Sequence, residues 1–374
     1  MLKTDMETID CLVIGAGVIG LAIGRALAMA GREVIVCDGE KYAGSWTSAR
    51  NSGVIHAGIY YPLHSLKAKH CVRGKAMLYD YIEDKNIAHN RCGKMIVACD
   101  DKDIAALHLI KDKAAANGVN DLTLITAEDA RALEPQVACV AALISPSTGI
   151  IDIHDYMDHL QTDITNHGGV IALGNAIKGG TITPQGIEIR LEGQEPLRAR
   201  TVINSAGLGA QHFAESLSGL DPASIPPLYL AKGNYFGISG APPFSRLVYP
   251  VPEPGGLGAH FTMNMAGDSL FGPDVQWLNH TDINALDYRV DEARKDTFYT
   301  SVSRYWAGVT QQALIPAYAG IRPKLSGPND PPADFVVQSE KEHNIKGLIN
   351  LYGIESPGLT CSLSIAEAVL KLIE

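Results

Sequence analysis

Short, continuous apolar runs alternate along the chain with longer stretches of helical period. Ile9-Asp10-Cys11-Leu12-Val13-Ile14 is such a run, ending at a glycine, and predicts a strand buried on both faces. Val18 to Ala30 is rich in Ala, Leu and Ile and predicts a helix, with Gly31 where a C-cap belongs. Glu33 to Asp38 predicts a second strand, so the chain opens with a βαβ unit. Residues 64–88 read as helical. Asp101 to Asn117 reads as an amphipathic helix with Ile104, Leu107 and Ile110 on one face. Val170–Leu173 and Ile187–Leu191 read as strands joined through Pro and Gly turns, and Thr201–Gly207 as a strand running into a glycine turn. Residues 221–258 are dense in Pro and Gly around short β-type runs. Gly347–Gly353 reads as a late strand and Ser362–Ile373 as a closing amphipathic helix.

Nucleotide-type elements thus recur near the start, the middle and the end, with no internal repeat and no low-complexity linker. The fold expected is α/β (α+β overall). A discontinuous Rossmann-type domain would draw on residues 1–87, 151–220 and 321–374, with a β-rich substrate domain from 88–150 and 221–320.

Gly15, Gly17 and Gly20 fit G-x-G-x-x-G, with Gly24 four residues further on. The first glycine permits a tight turn, the second lets backbone approach a pyrophosphate, and the third lets helix and strand pack closely. The helix that starts at Val18 and Ile19 offers unpaired N–H groups and a partial positive charge to the phosphates. Asp38 ends the next strand, close to the roughly 20-residue spacing of a carboxylate that binds ribose hydroxyls. These features point to a dinucleotide and leave NAD and FAD open.

Composition narrows the class. Hydrophobic residues make up 46% and charged residues 19%, which argues for a globular chain and against disorder. The net charge of −10 and the lack of a Lys/Arg run exclude nucleic acid as an expected partner. No two of the seven cysteines have zinc-knuckle or redox-dithiol spacing, and no metal cluster is apparent. Scattered thiols suit a reducing compartment and read as buried small hydrophobes. Met1 to Glu7 carries two acids and lacks the order of a signal peptide. Arg25 interrupts the apolar stretch Cys11–Gly31, so a core strand and helix explain it better than a membrane span. A cytoplasmic protein without a transmembrane segment is expected, with peripheral membrane contact left open.

The block Gly44–Pro62, which reads GSWTSARNSGVIHAGIYYP, resembles the L-2-hydroxyglutarate dehydrogenase/oxidase group of the D-amino-acid oxidase-like FAD oxidoreductases. Similar blocks follow in family order: Ser65–Lys69, Cys71–Gly74, Ser145–Asp152, Ile203–Gly207, Tyr249–Pro252, Gly258–Thr262, Phe271–Pro273, Tyr318–Pro323 and Tyr352–Thr360. The resemblance implies FAD in an extended form. Gly15, Gly17, Val18, Ile19 and Gly20 would cradle its pyrophosphate and Asp38 its adenosine ribose. Thr47, Ser48, Asn51 and Ser52 would supply hydroxyl and amide groups to the phosphates and the flavin side, and Ile177 backbone to the adenine. Ala206 and Gly207 would let backbone pass close. Gly353, Glu355, Ser356, Pro357, Gly358, Leu359 and Thr360 would wrap the flavin ring and ribityl chain. Related methylglycine dehydrogenases carry a covalent flavin on a His-Ala-Ala-Gly block. Here the block reads His56-Ala57-Gly58, so non-covalent FAD is expected.

The activity implied is oxidation of an L-2-hydroxy acid to the 2-oxo acid. Electrons would pass to a quinone, a carrier or oxygen. Arg322, in the Tyr-x-Gly-x-Arg-Pro block, would grip the carboxylate of a small carboxylate substrate through two parallel hydrogen bonds. His56 and His260 are the candidate bases, since histidine accepts a proton near neutral pH. Tyr60, Tyr61, Lys232 and Tyr235 would line the pocket. Lys232–Phe236 departs from the Arg-Gly-Glu-Tyr form of the hydroxyglutarate enzymes, which bears on the distal-carboxylate site. The alternatives are an amine or amino-acid oxidase, a glycerol-3-phosphate dehydrogenase, and a flavin-binding protein without catalysis.

Overall fold

Cys11, Leu12 and Val13 carry no side chain that wants water, and all three are buried in a strand, Thr8–Ile14, at the centre of a sheet. The computed structural model describes residues 6–252 and 258–373. The N-terminal residues 1–5 of the signal-peptide reading, and residues 253–257 of the Pro/Gly-dense stretch, lie outside them.

The opening βαβ unit forms as its pattern predicts, with strands Thr8–Ile14 and Val34–Asp38 flanking the helix Val18–Met29. Gly31 adopts φ +75° just past that helix, and its N–H donates to Ala28 O at 2.9 Å. Five parallel strands then line up in the order Leu348–Tyr352, Leu197–Asn204, Thr8–Ile14, Val34–Asp38, Val170–Leu173. Helices Val18–Met29, Leu66–Asp84, Ile153–Asn166 and Gly358–Ile373 pack together beside this sheet around one apolar core. The chain between the predicted strands Val170–Leu173 and Ile187–Leu191 holds a further strand, Ile177–Thr183, paired antiparallel to Gly186–Leu191. Its Gly179-Gly180 pair and three polar side chains hide it from an apolar-run reading.

A second sheet carries, side by side, Ile315–Lys324, Tyr229–Ile238, Ser269–Phe271, Phe261–Met263, Leu247–Pro250, Lys94–Ala98, Ala141–Ser145 and Thr123–Thr126. Tyr229–Ile238 is a ten-residue strand where short runs were expected. The expected boundaries at 150/151 and 320/321 each fall inside a strand, Gly149–Ile151 and Ile315–Lys324. Strand pairing decides these ends: Ile315–Lys324 pairs with Tyr229–Ile238 over nearly its whole length. The amphipathic segment at 101 begins as a 3-10 turn, Asp101–Asp103, and becomes the helix Ile104–Ala116, with Leu107 buried. The closing helix starts at Gly358, four residues before the sequence reading places it.

Candidate active site

All five parallel strands end at the same edge, and the segment after each one lines a single cleft of about 1230 Å³. Gly15, Gly17, Val18 and Ile19 follow the central strand, Gly39 and Glu40 the second, and Asn175–Lys178 come after Val170–Leu173. Ser205–Gly209 and Ile354–Leu359 complete the rim. Ligands of open α/β sheets bind at this edge, because there the helix starts and loop N–H groups converge.

The glycines of the first loop are dictated by space. Gly15 has φ +101°, and a Cβ there would lie 2.6 Å from Ser205 O. A Cβ on Gly20 would lie 1.8 Å from Gly15 O. Gly17 has no side chain to cap the helix it precedes. Ser48 reaches over from the neighbouring loop instead, its Oγ accepting from Val18 N at 3.0 Å. The N–H groups at a helix start have no intrahelical acceptor, and here Val18 and Ile19 line the cleft, where a pyrophosphate would meet them. Asp38 lines the cleft and accepts from Ala16 N at 2.7 Å and Glu40 N at 2.9 Å, while burial pushes its carboxyl upward. Each oxygen keeps a lone pair for a hydroxyl. The cleft exceeds the roughly 300–1,000 Å³ of a drug-sized site, so an extended dinucleotide fits with room beside it.

Of the residues expected at the cofactor, Gly15, Gly17, Val18, Ile19, Asp38, Thr47, Ser48, Asn51, Ser52, Ile177, Ala206, Gly207, Glu355, Ser356, Pro357, Gly358 and Leu359 line this cleft. Gly20, Gly353 and Thr360 do not; they shape its wall. Gly353 turns the chain at φ +66°, and buried Thr360 accepts from His56 N and donates to Val54 O. Several expected donors are already committed within the protein. Thr47 Oγ1 donates to Ile321 O, and the Asn51 amide turns back on Ser48 O and Gly53 N. Ser52 Oγ meets Tyr235 OH at 2.8 Å. These side chains fix the loop between the two sheets rather than offering free donors.

The second sheet forms the far wall. Arg322, Gly233, Tyr235, Pro273, His260 and Tyr249 line it. Arg322 Nη2 donates to Asp274 O at 2.6 Å, which holds the guanidinium across the strand. Tyr235 stacks on Tyr318 at 4.4 Å between centroids, and Tyr249 stacks on His260 at 3.6 Å. His56 stands on the opposite loop, its Nε2 3.2 Å from Ser356 Oγ. Burial, helped by the charge of Lys94, pulls the His56 imidazole down to about 3, so it rests neutral and able to accept a proton. Tyr60 and Tyr61 line the cleft as expected.

Lys232 does not line it, which corrects the sequence reading. Side chains alternate along a strand, so Gly233 and Tyr235 face the cleft while Lys232 and Asn234 face away. The Lys232 ammonium is held by Arg289 O instead.

Three lysines were not singled out from the sequence. Lys67 and Lys324 line the cleft and share Glu355, at 3.4 Å and 2.6 Å, and the two cations keep that buried carboxyl below its ordinary value. The two-residue step from Arg322 to Lys324 along one strand would have revealed Lys324. Lys94 heads the strand Lys94–Ala98 and is 1% exposed. A lysine at the head of an apolar run looks like an ordinary solvated strand end.

Comparison with known proteins agrees with this geometry. Residues 10–372 match the family model described as FAD dependent oxidoreductase (DAO). A mitochondrial L-2-hydroxyglutarate dehydrogenase of Arabidopsis thaliana is 43% identical, over 97% of this chain and 83% of that protein. An L-2-hydroxyglutarate dehydrogenase of Salmonella houtenae is 30% identical, over 98% of this chain and 93% of its own. Among solved structures, an L-alpha-glycerophosphate oxidase from Mycoplasma pneumoniae with FAD bound superposes with a TM-score of 0.87 at 24% identity, covering 98% of this chain and 95% of that one. The chain therefore belongs to the FAD dependent oxidoreductase family and is an enzyme of that kind.

Proposed function

We propose that this protein oxidises L-2-hydroxyglutarate, or a close L-2-hydroxy acid, to the 2-oxo acid. The observation that carries the reading is the meeting of His56 and Arg322 in one cleft, one on each wall. The names of the relatives agree with it. Residues on and around the parallel sheet hold FAD, without a covalent link, and the second sheet holds the substrate. When bound, FAD supplies the acceptor for the hydrogen that leaves the α-carbon.

Arg322 grips the α-carboxylate through the donors that Asp274 O leaves free, and so fixes which face of the α-carbon is presented. His56 takes the hydroxyl proton at Nε2 once the substrate hydroxyl displaces Ser356 Oγ, which stands 3.2 Å from that atom. A neutral imidazole is the form required, and a carboxylate brought in beside it raises its affinity for that proton. His260 and Tyr249 close the pocket as a stacked pair. Electrons then leave to a quinone, a carrier or oxygen, and the word dehydrogenase in the relatives' names favours one of the first two. The seven unpaired cysteines fit a reducing compartment, either the cytoplasm or a mitochondrial matrix. No helix of the described residues is long and apolar enough to cross a membrane.

The test compares kcat/KM with an artificial electron acceptor for L-2-hydroxyglutarate, D-2-hydroxyglutarate, glycerol 3-phosphate and a set of L-amino acids. L-2-hydroxyglutarate should lead. A lead for an amino acid or for glycerol 3-phosphate overturns the reading.

A further inference from the structure

The cations around the cleft are not equally satisfied. Lys67 and Lys324 share the one carboxylate of Glu355, Lys67 donates to Ala333 O as well, and Lys232 is tied to Arg289 O. Lys94 is different. It is 1% exposed, and among the described residues its ammonium has neither an anion nor a hydrogen-bond acceptor. Its contacts are two aromatic faces: the ring of Tyr249 at 4.6 Å and that of Tyr60 at 4.9 Å. An isolated buried ammonium is costly, and cation–π contact offsets only part of that cost.

Both tyrosines line the cleft. Neither hydroxyl has a hydrogen-bond partner among the described residues. Burial holds both phenols protonated, so each keeps a donor. Two free O–H donors backed by a buried lysine with no anion beside it make a receptor for an anion. Arg322 belongs to a different strand from Tyr249, Ile315–Lys324, with the strands Tyr229–Ile238, Ser269–Phe271 and Phe261–Met263 between them.

We propose that the wall formed by Tyr60 and Tyr249 is the subsite for the substrate's second carboxylate, with Lys94 behind it supplying the countercharge. This inference rests on the hydroxy-acid reading and makes the enzyme selective for dicarboxylates. Tyr60 and Tyr249 donate to the carboxylate. Lys94 is a positioning and specificity residue that acts through them. Its charge favours a second negative group at that wall and gives nothing to a monocarboxylate of the same length.

The test is equilibrium binding to the FAD-loaded protein by calorimetry, with glutarate and butyrate as probes that cannot be oxidised. The wild type should bind glutarate at least about tenfold more tightly than butyrate. Lys94→Met should weaken glutarate by about 30-fold or more, the lower range for losing one partner of a buried charge pair, and leave butyrate within about twofold. Tyr60→Phe and Tyr249→Phe should each weaken glutarate by about five- to tenfold. In turnover, Lys94→Met should raise KM for L-2-hydroxyglutarate far more than it lowers kcat. A wild type indifferent to the second carboxylate overturns the proposal, and so does a Lys94→Met protein that keeps both its flavin and its preference. If Lys94→Met does not fold, the wild-type preference and the two tyrosine variants decide. Glutarate preference without oxidation of L-2-hydroxyglutarate would sink the reaction assigned above and leave the subsite standing; oxidation without preference would do the reverse.

Discussion

The backbone N–H of His56 donates to the hydroxyl of Thr360 at 3.0 Å, across 304 residues of sequence. The same hydroxyl donates to Val54 O at 3.3 Å. One buried oxygen thus pins the loop that carries the proposed base to the start of the closing helix. Thr360→Val keeps the volume and removes the pin, leaving a buried N–H and a buried carbonyl unpaired at about 1–3 kcal/mol. We expect kcat to fall by about tenfold or more with flavin content retained, and Thr360→Ser to recover most of it. Steady-state kinetics of the two variants checks this; equal kcat in Thr360→Val and wild type contradicts it.

Arg322→Leu removes the proposed carboxylate grip and leaves Asp274 O without its donor. For L-2-hydroxyglutarate, kcat/KM should drop by about 10²–10³, mostly through KM, in line with the loss of a charge-assisted pair of hydrogen bonds. A KM within twofold of wild type would take Arg322 out of that role.

Gly20→Ala tests the first loop. The added Cβ would fall 1.8 Å from the Gly15 carbonyl oxygen, and backbone cannot yield as a flexible side chain can. Helix and loop must separate, at a cost of at least about 1–3 kcal/mol. The variant should purify without FAD or not fold. A yellow, active Gly20→Ala protein would show that the loop geometry is misread.

Much of this was legible in the sequence, for physical reasons. A strand buried on both faces must be apolar along its buried length, so Cys11–Ile14 declared itself. A phosphate loop must have glycines where a Cβ would strike backbone, so Gly15 and Gly20 declared theirs. What stayed hidden was parity and partnership. Lys232 and Tyr235 sit in one block, yet strand alternation sends Lys232 away from the cleft. The Asn51 amide looked like a ligand group until its own loop claimed it. Lys94 became visible only when folding closed two tyrosine rings over it.

The Lys94 ammonium also leaves a mark on stability. Burial lowers it from the ordinary 10.5 to about 7. Between those pH values the unfolded chain holds a proton that the folded chain has released, so folding stability rises with pH through that window. Below about pH 7 both states are charged and the whole penalty stands. Against Lys94→Met, wild type should gain about 3–5 kcal/mol of relative stability from pH 7 to 10.5. Urea titrations of both proteins at a series of pH values measure this. Parallel stability curves would mean that the ammonium is not buried as described.

The central claim is oxidation of an L-2-hydroxy acid at FAD held in this cleft. One anaerobic titration tests it most directly: L-2-hydroxyglutarate is added to the purified yellow protein while the visible flavin absorbance is followed. Bleaching should be complete near one equivalent per bound flavin, with 2-oxoglutarate as the product. A flavin that stays oxidised with L-2-hydroxyglutarate and bleaches with an amine or amino acid would contradict it.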